Sequence, residues 1–336
     1  MHLQWGQSCE MRRRIDLAEA RLMLLSRADL DGTGMTERQL QQDLSAGRLI
    51  RVHRGSYVST DHWKALWWEG QHLLKVLAVR AASAGDGPVF THASAAVVWG
   101  LPMFRMGARP VQTLLETKRH SRTEADIVRR DMRVDPIDIV ELDGIRLTSR
   151  RRTVFDIART ESFASSLCCA DADLRRVAVD RYRTDADAEA EWREDVMQLA
   201  APGLRGVRQA RRIIEFADGR AQLPGESVSR ARLRTLGFSR YDLQVPVTGT
   251  EGEHYWVDFA FRGSRRFGEF DGEGKYTNPD LRDTPSAHAA VLAEKRREDD
   301  IRGVTGWGFA RWGYEHIGTA DALGTRLAAF GIHPPG

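Results

Sequence analysis

Three carboxylates in the last third of the 336-residue chain are spaced to hold a metal ion. Asp258 interrupts Tyr255-Trp256-Val257-Asp258-Phe259-Ala260-Phe261. Glu269 and Asp271 interrupt Phe267-Gly268-Glu269-Phe270-Asp271-Gly272. Both stretches read as strands. Side chains alternate along a strand, so Asp258 shares its face with Trp256 and Ala260, while Glu269 and Asp271 point to one side. Antiparallel pairing through a turn at Arg262–Arg266 brings Asp258 close to Glu269. Carboxylates held that close repel, and a hard divalent cation with oxygen ligands is the natural relief. Acids at strand ends are also common in structures without a site, and Asp271-Gly272 reads equally well as a turn. The chain has only five lysines, and two of them, Lys275 and Lys295, follow this hairpin. A sequence that uses arginine almost everywhere else has a use for an amine there, or the placement is chance.

The elements that must position these residues come from a chain long enough for two or three domains. Its 50 basic and 47 acidic residues leave a net charge of +3, so global charge does not argue for nucleic acid. The local balance is different: Pro202–Arg240 holds nine arginines and three acids, a stretch suited to lie along a phosphate backbone. Three cysteines, Cys9, Cys168 and Cys169, lack C-x-x-C spacing, which argues against a disulfide framework or a zinc site. No apolar run reaches spanning length, and no apolar segment follows the first charges, so a cytoplasmic protein without a membrane partner is expected.

Residues 1–14 read as a tail. Ile15–Ala28 has a helical stripe, Asp29–Gly34 reads as a turn, and Thr36 with Gln39 forms a capping-box start for a second helix. Leu49–Val52, Arg54-Gly55 and Ser56–Val58 make a tight strand–turn–strand. Helix, turn, helix and ribbon over 15–60 form the plan of a winged helix-turn-helix. Arg38, Gln39, Gln41 and Gln42 lie on the exposed side of the second helix, where such residues can bond base edges. Arg51, His53 and Arg54 on the ribbon can touch phosphates. A solvated helix face would carry the same residue types. His62–Ala84 reads as one long amphipathic helix, Val111–Thr117 and Ile139–Leu147 as strands of a small mixed domain, and Asp171–Arg193 as a solvated helix pair. The expected division is a middle domain over 61–200 and a last domain over 201–336.

Two regions resemble known families. Leu49–Val58, Thr91-His92-Ala93-Ser94-Ala95-Ala96 and Arg152–Arg159 resemble the AbiEi antitoxins of type IV toxin–antitoxin systems. Gly225-Glu226-Ser227 with Arg230, Val257-Asp258-Phe259, Glu269-Phe270-Asp271-Gly272, Lys275-Tyr276 and Glu294–Asp299 resemble the PD-(D/E)XK nucleases, nearest to the Vsr-like group. Together these resemblances imply an α+β or α/β chain. It would have a winged helix, a small mixed middle domain and a restriction-endonuclease-like mixed sheet flanked by helices. They imply DNA as partner, a cognate toxin as a further one, and Mg²⁺ or Mn²⁺ as cofactor. Asp258 and Glu269 would ligate the metal, with Glu226 joining from the first helix. Asp271 stands where many relatives place the lysine of the E-x-K signature. Either Lys275 or Lys295 then supplies the amine, Lys295 being preferred because its helix packs on the sheet, or Asp271 becomes another ligand. The same resemblances also imply a rival, a non-cutting antitoxin-like regulator.

Overall fold

The computed structural model describes residues 12–115, 126–272 and 285–334. The chain divides into two compact units, 1–157 and 158–336. The expected boundary at 201 therefore falls inside the second unit.

In the first unit, α1 (Leu17–Met23), β1 (Leu25–Ser26), α2 (Arg27–Gly32), α3 (Glu37–Ser45), β2 (Leu49–His53) and β3 (Ser56–Ser59) follow in order, with a sheet ordered β1-β3-β2. The single helix expected over 15–28 is broken. Leu24 is extended, and Ser26 restarts the chain as an N-cap, its hydroxyl accepting from Asp29 N while Asp29 returns the bond. Each such reciprocal cap satisfies two donors that a helix start otherwise leaves bare. Thr36 and Gln39 do the same for α3. Leu30, Leu40 and Tyr57 then close a small core under the sheet.

Next come α4 (Thr60–Lys64) and α5 (Trp68–Ala82), not one helix. The reason lies in the expected tail. Arg13 N donates to the Ala65 carbonyl at 2.8 Å, and Trp67 N donates to the Arg13 carbonyl at 3.2 Å. Those bonds take backbone groups that a continuous helix would need. Residues 1–11 lie outside the described residues. The unit continues with α6 (His92–Val98), β4 (Val111–Leu114), β5 (Ile127–Arg130), β6 (Ile139–Leu142), β7 (Ile145–Thr148) and α7 (Arg150–Thr160). The strand expected over 139–147 is a hairpin, turning at Asp143-Gly144, both with positive φ.

The second unit carries α8 (Phe163–Ala178), β8 (Val179–Asp180), β9 (Arg183–Thr184), α9 (Ala186–Met197), α10 (Val207–Phe216), α11 (Pro224–Thr235), β10 (Asp242–Thr248), β11 (His254–Phe261), β12 (Arg266–Phe270), α12 (Pro285–Thr305), β13 (Gly308–Trp312) and α13 (Ala320–Ala328). Helix α8 belongs here because it packs on α11. Its Leu167, Cys168 and Leu174 are buried, and its Asp171 meets Arg230 of α11 at 2.5 Å with both side chains almost wholly enclosed. The guanidinium also donates to the Phe216 carbonyl and lies over the Phe216 ring. A buried pair this well bonded is costly to break.

The sheet runs β10-β11-β12-β13, with antiparallel pairs except for the parallel β12/β13. Alternation sorts its faces. Phe267 and Phe309 pack with Ile301 of α12, whereas the Trp312 indole N–H donates to Ser229 of α11. Two glycines allow α11 and the core tryptophan to approach. A Cβ on Gly225 would lie 2.0 Å from Phe270 Cε1, and one on Gly268 2.5 Å from Trp312 Cη2. Gly225→Ala should therefore cost about 1–3 kcal/mol, the usual range for overpacking, read as a drop in chemical-denaturation stability. An unchanged midpoint would mean that Phe270 yields freely.

Candidate functional site

Strands β11 and β12 stay in register through Phe259 opposite Gly268, which leaves Asp258 and Glu269 as the next positions across the pair. There the strands part. Asp258 fills the fork: its Oδ2 accepts from Phe270 N at 2.9 Å, so a side chain takes the ladder bond that a neighbouring strand would supply. Beyond the fork β12 keeps to β13, with Asp271 N donating to the Trp312 carbonyl.

Glu226 arrives from the first turn of α11, brought in by the Gly225–Phe270 contact. It is 2% exposed. Its Oε2 accepts from Gln222 N at 2.8 Å and from Gln244 Nε2 at 3.3 Å. The same Gln244 nitrogen lies 3.4 Å from Asp258 Oδ1. Two carboxylates thus converge on one amide. Burial first, and then the Asp258 charge, push Glu226 up to about 8. Gln244 carries a positive φ of 47°, and its side-chain Oε1 accepts from Gln222 Nε2 at 3.0 Å. Sequence reasoning missed Gln222 and Gln244, although Gln244 is the polar interruption between Leu243 and Val245, two positions before Pro246.

Glu269 has different company. Its Oε1 lies 2.8 Å from Arg297 Nη1 and its Oε2 2.7 Å from Arg311 Nη2. Burial raises the Glu269 pKa, and the two guanidinium groups oppose that rise. Asp271 lies 3.4 Å from Arg311 Nη1. Glu294 meets both arginines, and Glu298 meets Arg311. The positive charge called for by the clustered acids is therefore supplied here by arginine.

Lys295 does not aim at the sheet. It is exposed, while Glu294, Arg297, Glu298 and Ile301 of the same helix face inward. That set has the i, i+3, i+4, i+7 spacing of one helix face, and Lys295 lies off it. Lys275 is outside the described residues. The basic stretch over 205–240 is partly spent inside the fold. Arg230 is buried, Arg232 donates to the Ile317 and Gly318 carbonyls, and Arg211 donates to the Ala200 carbonyl. Arg205, Arg208, Arg212 and Arg240 remain exposed.

In the first unit, Arg38, Gln39, Gln41 and Gln42 all lie on the exposed side of α3, and Arg51 and Arg54 are exposed on the ribbon. Gln39 is drawn back to its cap, its Oε1 accepting from Thr36 N, and Gln41 Nε2 donates to Glu37. Those bonds compete with contacts to a partner. Arg38 and Gln42 project from the same face.

Among the described residues, no group of three or more His, Cys, Asp and Glu side chains is arranged to hold a metal ion. Magnesium does not require one. It commonly binds through one or two carboxylates, keeping its remaining positions for water and substrate phosphate. Glu226 and Asp258 fit that role, because the Asp258 charge disfavours ionisation of Glu226 and a bound cation would relieve that repulsion. Glu269 fits it less well, since both of its oxygens already face guanidinium groups.

By class, this is an α+β protein with several small sheets. No family model matches the chain. It is similar to uncharacterised proteins from two strains of Mycobacterium tuberculosis, 28% identical over 285 residues, covering 81% of this chain and 88% of each relative. Among solved structures it is similar to the RV2827C protein of Mycobacterium tuberculosis, at 16% identity and a TM-score of 0.34. That match covers 66% of this chain and 82% of the other. No described helix is long and apolar enough to cross a membrane.

Proposed function

We propose that the second unit is a PD-(D/E)XK-type, Mg²⁺- or Mn²⁺-dependent DNA endonuclease domain, and that the first elements of the chain form a winged helix that binds DNA. The observation that carries the catalytic reading is the convergence of Glu226 and Asp258 on the Gln244 amide at a fork in a mixed sheet. A metal ion held by these two carboxylates would acidify a water and neutralise phosphate oxygens. The chain's own part is to hold Glu226 and Asp258 together through Gln222 and Gln244. It also holds Arg297 and Arg311 against Glu269, the next position across the strand pair from Asp258, as the fixed positive charge that a phosphodiester transition state requires. The arginines would take the place of the missing E-x-K lysine.

The test is purified protein on supercoiled plasmid with Mg²⁺ or Mn²⁺, beside Asp258→Ala. Nicked or linear DNA from the wild type alone supports the reading. Intact plasmid across both metals and several substrates sinks it. The rival, a non-cutting AbiEi-like regulator with a cognate toxin as partner, is favoured by two observations: Asp271 stands at the lysine position, and both oxygens of Glu269 already face arginines.

The winged-helix reading rests on the element order, the β1-β3-β2 sheet and the polar outer face of α3. Arg38→Ala, Gln41→Ala and Gln42→Ala combined should weaken binding to the target duplex by about tenfold or more, since each good base contact is worth about 1–3 kcal/mol. Unaltered affinity in a gel-shift titration would remove α3 as the reading helix.

A further inference from the structure

Beside the carboxylates lies an aromatic pair that the nuclease reading leaves unused. Tyr182 stacks on Trp256, with ring centres 4.1 Å apart and planes within 4°. Trp256 covers one face of the tyrosine. Tyr182 is nevertheless 42% exposed, so its other face is open to solvent. The sequence suggested a helix pair across this region, but Tyr182 sits in the turn of a short hairpin, where Asp180 pairs with Arg183. Arg181 adopts a positive φ of 52° there.

The turn is anchored. Arg175 donates through Nη2 to the Arg181 carbonyl and through Nη1 to the Gly219 carbonyl, each at 3.1 Å. Gly219 sits so close to α8 that a Cβ would lie 2.9 Å from the Arg175 backbone. The ring is thus carried on a fixed support. Arg181 and Arg183, both exposed, flank it; Asp180 is the acid of the same turn. Trp256 precedes Asp258 by two residues on β11 and shares its face, which sets ring and carboxylate roughly 7 Å apart along the strand. Its carbonyl accepts from Arg297 Nη2 at 2.7 Å, the arginine that also holds Glu269.

We propose that Tyr182 on Trp256 is a stacking platform for an unpaired base, with Arg181 and Arg183 on the adjoining phosphates, so that the second unit takes single-stranded DNA beside Glu226 and Asp258. Inside a duplex both faces of a base are covered by its neighbours. Only an unpaired or extruded base offers a face to an aromatic ring. This assignment rests on the nucleic-acid reading of the second unit, not on cleavage itself.

Anisotropy titrations of the full chain in EDTA, where no metal-dependent cutting occurs, provide the test. The probes are labelled oligo-dT, oligo-U and a blunt duplex of equal length. Tyr182→Ala should weaken oligo-dT binding by about tenfold and leave duplex binding unchanged, and Tyr182→Phe should restore it. Arg181→Glu with Arg183→Glu should flatten the salt dependence of oligo-dT binding. Unchanged oligo-dT affinity in Tyr182→Ala, or an equal loss on duplex, overturns the platform, as does tighter binding of oligo-U than of oligo-dT. Plasmid cutting by a protein that ignores oligo-dT would refute the platform and leave the nuclease reading intact. Oligo-dT binding that depends on Tyr182, without any cutting, would do the reverse.

Discussion

Replacement of Asp258 by alanine is expected to reduce plasmid cleavage by about a thousandfold or more, whereas Lys295→Ala should stay within about twofold of wild type. The first figure is the usual cost of removing a group that holds a catalytic metal or stabilises transition-state charge. Asp258 occupies the fork between β11 and β12 and shares a hydrogen-bond donor with Glu226, whereas the oxygens of Glu269 are held by Arg297 and Arg311. Asp258→Asn gives the cleaner comparison. Its amide oxygen can still accept from Phe270 N, the contact now made by Oδ2, which keeps the fork closed while removing the charge. Equal loss in Asn and Ala variants with an unchanged melting curve assigns the effect to the charge. Lys295 is the internal control, because its side chain is exposed while its neighbours Glu294 and Arg297 face the sheet. A strong effect of Lys295→Ala would mean that α12 turns on binding DNA and would restore the lysine expected from the sequence.

The sequence revealed the carboxylates but not the cations that neutralise them, and the difference is one of range. Asp258 and Glu269 were legible as neighbours because a short turn joins their strands and strand alternation is strict. The observed pairing of Phe259 with Gly268 follows that expectation. Arg311 reaches Glu269 through a parallel register that joins positions far apart in the chain, and such pairings leave no local trace. Arg297 could have been found. Glu294, Arg297, Glu298 and Ile301 mark one face of α12, and reading that periodicity would have excluded Lys295. In the first unit the capping box at Thr36 and Gln39 is visible from residue types alone, and it commits the Gln39 side-chain Oε1 to the cap. The division at 157 was not legible because α8, charged at both ends of its sequence neighbourhood, hides an apolar face and buries Asp171 against Arg230. A charged pattern reads as solvated until its partner is known.

Glu226→Gln is expected to stabilise the metal-free protein increasingly as pH rises from 5 to 8. The folded-state pKa of Glu226 is raised to about 8 by burial and by Asp258, from an ordinary value of 4.5. Below pH 4.5 the group is protonated whether the chain is folded or not, and it contributes no pH dependence. Between 4.5 and 8 the unfolded chain releases the proton and the folded chain keeps it. The folded state then binds more protons, so stability falls as pH rises, by about 1.4 kcal/mol per unit at most. Above 8 the loss is complete and constant. Glutamine carries no such proton, so the variant should gain about 3 kcal/mol on the wild type between pH 5 and pH 8, read from urea midpoints at the two values. Parallel pH profiles would show that the two carboxylates do not strain the fold. Adding Mg²⁺ at pH 8 separates strain from function. A cation held by Glu226 and Asp258 stabilises the folded wild type by mass action and should narrow its gap to the glutamine variant, which lacks one ligand. If Mg²⁺ shifts both proteins equally, the carboxylate pair is a structural strain and not a metal site.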